Sequence, residues 1–141
     1  MTRCVVLLSL GLVALAGCSG GGGTVPNVSC SNGVATDAQA HLVTPASGAT
    51  GVSPAIGSIT VAYGIATVVQ PGVTLTPSDG SASVTGNPSF TGVLPQSGTV
   101  QVTIPALKPS TTYAVTGRSV NMAHVPCFTT VTASFGSFTT Q

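Results

Sequence analysis

Apolar and polar residues alternate in short stretches along this chain, and turn residues separate the stretches. Val100, Val102 and Ile104 alternate with Thr99, Gln101 and Thr103, the repeat of a strand that buries one face. Ile59, Val61 and Tyr63 share a second such face, with Ser58, Thr60 and Ala62 opposite. Val73-Thr74-Leu75-Thr76 follows Pro71-Gly72, and Ala82-Ser83-Val84 follows the turn signal Ser78-Asp79-Gly80,. Tyr113 to Thr116 begins another strand, and Thr129 to Thr140 forms a last one with Val131, Ala133 and Phe135 in phase. No segment after residue 18 has a helical period. About seven short strands divided by frequent turns predict one all-β domain, an antiparallel β-sandwich.

The first residues follow a different pattern. Behind Arg3 runs the apolar stretch Val5 to Gly17, shorter than the ~20 residues that a span of hydrocarbon needs. It fits the apolar part of an export signal with its positive end at the cytoplasmic side. The stretch ends Leu15-Ala16-Gly17-Cys18, which resembles the lipobox of bacterial lipoproteins. That resemblance implies a signal peptide over 1–17, cleavage before Cys18, and acylation of Cys18 by two or three chains, palmitate among them. More than one chain is what stable anchoring requires, at ~0.8 kcal/mol per buried methylene. Ser19 in place of Asp after the cysteine implies the outer membrane among lipoproteins of double-membraned bacteria, on either its periplasmic or its surface face. Ser19 to Thr24 reads as a flexible tether, which six residues of coil extend by some 12–15 Å at ~5–6 Å × √n. Residues 24–40 are polar and unpatterned and read as a lead-in, which leaves 41–141 for the domain.

Composition narrows the picture. After cleavage the side-chain charges are Asp37, Asp79, Lys108 and Arg118, a balance of zero, and the chain has no tryptophan. A basic patch for nucleic acid is absent from such a chain. Abundant Val, Ile and Thr, punctuated by 18 Gly and 10 Pro, is the composition of an all-β fold rather than of disorder.

Two segments carry a more specific resemblance. Val43-Thr44-Pro45-Ala46-Ser47-Gly48-Ala49-Thr50-Gly51-Val52-Ser53-Pro54, leading into Ile59 to Tyr63, looks like the opening of bacterial Ig-like domains. Leu107-Lys108-Pro109-Ser110-Thr111-Thr112-Tyr113 resembles the E–F corner of fibronectin-type-III and related modules. The resemblance spans residues 41–141 and implies an Ig-like antiparallel β-sandwich of about seven strands. In its corner Leu107 plugs the core, Pro109 stiffens the turn, and the Tyr113 hydroxyl bonds backbone upstream, a tyrosine corner. The core tryptophan of fibronectin-type modules and the B–F cysteines of antibody domains are missing, so such a core relies on Ile, Val, Leu and Phe.

Four cysteines are present. With Cys4 removed and Cys18 acylated, Cys30 and Cys127 remain as an even pair in an exported chain, which predicts a disulfide. Closing a loop of about 100 residues contributes on the order of 4–5 kcal/mol in the chain-entropy model. A redox or metal role is disfavoured by the lack of a Cys-x-x-Cys spacing.

Candidate chemistry is thin. His41 and His124 are the only histidines; brought together they would suit copper or zinc, but ordinary loop or edge positions are the simpler reading. Asp37 precedes His41 by four residues, and Asp37 with Asp79 is the only carboxylate pair available for glycoside hydrolysis. Both aspartates lie in unrelated turn-like contexts. Neither an enzyme nor a cofactor is expected. Asn121, Met122 and His124 lie where a sandwich presents its F–G loop, the place where binding surfaces are often built. A second candidate is the segment Pro88 to Val93, if Phe90 is exposed there, but inward packing of Phe90 is the simpler reading. The chain is therefore expected to be a non-catalytic, membrane-anchored Ig-like module that contacts envelope or surface proteins. The alternative is a surface adhesin or glycan-binding module, disfavoured by the scarcity of aromatics, and a metal carrier using His41 and His124 ranks third.

Overall fold

The structure, a computed structural model, describes residues 33–65, 67–89, 93–94, 98–124 and 127–141. The signal stretch, Cys18, the tether, Cys30 and Phe90 lie outside the described residues. So does the Val125-Pro126 connection, and the side chains of Met122 and His124 are not described either.

Nine strands form among the described residues: β1 (Val34–Asp37), β2 (His41–Thr44), β3 (Ser58–Ala62), β4 (Thr67–Pro77), β5 (Val84–Pro88), β6 (Val93–Leu94), β7 (Thr99–Thr103), β8 (Thr112–His124) and β9 (Cys127–Thr139). No helix occurs among the described residues, and the fold is all-β. Hydrogen bonding orders the strands β1-β9-β8-β4-β5-β7-β3-β2, with β6 beside β4. The result is one mixed, curled sheet of eight strands in sequence along the path, where about seven antiparallel strands were expected. It is mixed because β1 pairs with β9 in parallel, Val34 opposite Thr130 and Asp37 opposite Ala133.

The sheet curls at β5. The start of β5 pairs with β4 (Val73↔Gly86), and its end pairs with β7 (Asn87↔Thr103). Gly86 permits the crossing: a Cβ there would overlap Val102 Cγ1, and a strand glycine marks such close approaches. The concave side holds the core. Ile59, Val61 and Tyr63 from β3 and the residue after it, Val73 and Leu75 from β4, Val100 and Val102 from β7, and Val115 from β8 are all buried. Each is an alternate position along its stretch, so a period of two places all of them on one side. Tyr63 meets Phe135 edge-on, with ring centroids 5.1 Å apart at 88°, a favoured aromatic geometry.

Two expectations from the sequence differ from the structure. The folded part begins before residue 41: Val34–Asp37 is a strand, and Asp37 is buried. Three backbone N–H groups account for this. Gln39 donates to Asp37 Oδ1 at 3.1 Å, and Gly64 and Ile65 donate to Oδ2 at 2.8 and 3.1 Å. These bonds offset the desolvation of a buried carboxylate and clasp the segment to the end of β3. Secondly, Asn121, Met122 and His124 belong to the end of β8, not to a loop. Asn121 pairs with Thr129 and His124 with Cys127, so the β8–β9 ladder runs as far as these residues.

Candidate functional site

β9 organises the site. Its odd positions Val131, Ala133 and Phe135 turn inward and are buried, so the even positions Thr130, Thr132 and Ser134 face outward. On β8 the inward Tyr113 and Val115 leave Ala114, Thr116 and Arg118 on the outer face. Between the two strands the register pairs Gly117 with Ala133, Thr116 with Ser134 and Arg118 with Thr132. Small residues at the Gly117–Ala133 pair leave a depression, and β1 adds Thr36 at its rim. The cleft has a volume of about 390 Å³ and is lined by Thr36, Thr116, Gly117, Thr132, Ala133 and Ser134.

The hydroxyls extend beyond the cleft. Thr116 is opposite Ser134 on one side and Thr74 on the other, and Thr74 is opposite Thr85. One row of four hydroxyl side chains thus crosses β9, β8, β4 and β5. Thr132 Oγ1 donates to Ala35 O at 3.3 Å. The surface is neutral apart from Arg118, which has no ion pair among the described residues. Hydroxyls with methyls beside them offer hydrogen bonds and modest apolar contact to an uncharged partner.

Beneath the cleft lies a polar irregularity in the core. The Tyr63 hydroxyl and Ser119 Oγ are buried with no hydrogen-bond partner among the described residues. Burial, and then the nearby Asp37 charge, hold the Tyr63 hydroxyl proton far above the ordinary phenol range,. Tyr63 is accordingly a neutral packing residue, wedged under Gly117.

The other residues singled out from sequence fall elsewhere. Lys108 N–H donates to the Tyr113 hydroxyl at 2.9 Å, Leu107 is buried and Pro109 is exposed. Thr140 Oγ1 donates to Lys108 O at 2.7 Å and accepts from Thr111 N–H at 2.9 Å, which pins this turn to the end of the chain. Asp79 is exposed and pairs with Lys108 at 3.0 Å. Asp37 has its oxygens engaged by backbone N–H groups, so the two aspartates are structurally unrelated. His41 is exposed, and its Nδ1 donates to Gln39 O at 2.9 Å. Among the described residues no three His, Cys, Asp or Glu side chains gather together.

The cleft residues are not among those that the sequence singles out. Their signal is present as hydroxyls on alternate positions of β9, but the partners from β1 and β8 are brought in only by pairing. Comparison with protein-family models, with curated proteins and with solved structures found no match to this chain.

Proposed function

We propose that this chain is a non-catalytic, lipid-anchored module of the bacterial envelope, an Ig-like β-sandwich in kind, that uses the outer face of β1, β9 and β8 for protein contacts. The observation that carries the contact surface is the neutral, hydroxyl-lined cleft at Gly117–Ala133, set in a row of outward-facing Thr and Ser side chains. Anchoring rests on the sequence Leu15-Ala16-Gly17-Cys18 behind an apolar stretch. The sandwich reading is supported by the strand crossing at Gly86, which divides the sheet into two halves around one core, and by the bond to the Tyr113 hydroxyl. The Cys30–Cys127 pairing is supported by the β1–β9 register: Val34, four residues after Cys30, lies opposite Thr130, three residues after Cys127.

The reading is tested in cells with the full chain carrying a photo-crosslinking residue at Thr116, and at Thr103 on β7 as a control. A discrete adduct from position 116, absent from position 103 and lost on Ser134→Arg, is the expected result. Equal labelling from both positions, or none from either, overturns the contact surface. Protease shaving beside a Cys18→Ser variant tests the anchor. A Cys18→Ser chain that stays membrane-bound at full length overturns it.

A further inference from the structure

We propose that the end of the sheet from which the chain runs back to its anchor rests on the lipid surface, with Val34 and Phe128 at the headgroup boundary. This inference depends on the reading of Cys18 as the lipid-anchored residue.

The parallel pairing of β1 and β9 fixes which end that is. Both strands start at the same end of the sheet: Val34 opens β1, and Phe128 is the second residue of β9. Thr130 N–H donates to Gly33 O at 3.0 Å, which holds the two starts together. Three large apolar side chains are exposed among the described residues, and two of them are here, Val34 at 71% and Phe128 at 47%. Nothing in the described fold covers them.

Chain length and charge point to a membrane as the occupant. Fourteen residues, 19–32, separate Cys18 from Gly33, and a flexible coil of that length would span about 20 Å. A tether this short raises the effective concentration of the attached end at the surface to the millimolar range, so two apolar side chains suffice for a contact too weak to form without the anchor. The charges are distributed to suit. Asp79 and Lys108 pair at the opposite end, where Ser78 N–H donates to Thr112 O and β8 begins. Asp37 is buried. Arg118, opposite Thr132, is two register positions from the Val34–Thr130 pair, and its long stem brings a cation toward anionic headgroups. In this orientation the hydroxyl cleft faces sideways, clear of the bilayer, and stays open to a protein partner.

The protein has no tryptophan, so Phe128→Trp in the full-length, acylated chain is a single-site reporter. Ala82→Trp, in the exposed turn between β4 and β5 at the opposite end, is the control. The chains are reconstituted in vesicles of phosphatidylethanolamine and phosphatidylglycerol, with and without brominated acyl chains. The expected result is a blue shift and a loss of emission with brominated lipid for Phe128→Trp, and neither for Ala82→Trp. Val34→Trp provides a second reporter of the same end should Phe128→Trp not fold. Chains that float with the vesicles while the indole introduced by Phe128→Trp or Val34→Trp stays unquenched overturn the inference and leave the anchor standing. A blue shift without bromine quenching means a protein contact and also overturns it. A Cys18→Ser chain that floats as well as the unaltered one overturns the anchor, and the inference with it.

Discussion

Gly117 has no room for a methyl group. A Cβ built there would lie 2.5 Å from Phe135 Cε2 and 2.8 Å from the Tyr63 hydroxyl oxygen, both of them on rigid, buried rings. Gly117→Ala therefore forces the Tyr63–Phe135 edge-to-face pair apart, and overpacking of this kind costs about 1–3 kcal/mol. Urea unfolding of the variant is expected to show that loss, with the cleft floor displaced. At the other end of the molecule, Asp79 is held at about 2 by hydrogen bonds from the Ser81 hydroxyl and N–H, and then by the Lys108 ammonium. A depressed carboxylate stabilises the fold above its unfolded value of 3.8, and that contribution fades as pH falls from there toward 2,. The effect is small because the group is solvated. Lys108→Met is expected to raise the Asp79 midpoint in an NMR titration without bringing it to 3.8, because Ser81 still donates.

At the scale of elements, the parallel strand β1 depends on one side chain. A four-residue strand at a sheet edge has little pairing of its own, and Asp37 ties its end to Gly64 and Ile65. Asp37→Ala removes the acceptor of three N–H groups, those of Gln39, Gly64 and Ile65, at roughly 1.5–3 kcal/mol for each bond to a charged partner. Hydrogen exchange is expected to speed up at Gly64, Ile65 and the amides of β1, while the β3–β7 ladder keeps its protection. β9 shows a second elementary decision. Val115 pairs with Gly136 but Thr116 with Ser134, so Phe135 is an extra residue, a bulge,. The bulge shifts the phase of burial: positions 131, 133 and 135 are inward before it, and Phe138 is inward after it. Gly136, at φ +105°, supplies the backbone conformation,.

For the whole molecule, β9 is the strand that unites the parts. β1 covers the first half of its edge. Residues 48–52 cover the second, through Thr139 N–H to Ala49 O at 2.8 Å and Gln141 N–H to Val52 O at 3.0 Å. An edge covered along its length is protected from pairing with other chains. The start of that cover is where the proposed Cys30–Cys127 bridge would act. Reduction of the oxidised protein is expected to lower its stability by about 4 kcal/mol for a loop of this size, read as a shift of the urea midpoint. Two free thiols in the unreduced, acylated chain overturn the pairing.

The alternation of Val, Ile, Phe and Thr determined by itself that the chain is all-β and which side of β3, β7 and the middle of β9 is buried, because a strand's period of two is a local property. Val100, Val102 and Ile104 needed no partner to declare their face. Tertiary structure alone decided the rest. The segment 34–40 carries no hydrophobic pattern because backbone N–H groups on Asp37, not apolar burial, hold it. Phe138 was out of phase because a bulge is a feature of two strands in register. Asn121 to His124 read as a loop because they fall between two expected strands, the one begun by Tyr113 to Thr116 and the one from Thr129 to Thr140, while pairing with β9 makes them strand. The cleft is assembled from residues nearly a hundred positions apart, Thr36 and Ser134, and no local pattern in a chain encodes a surface that pairing creates.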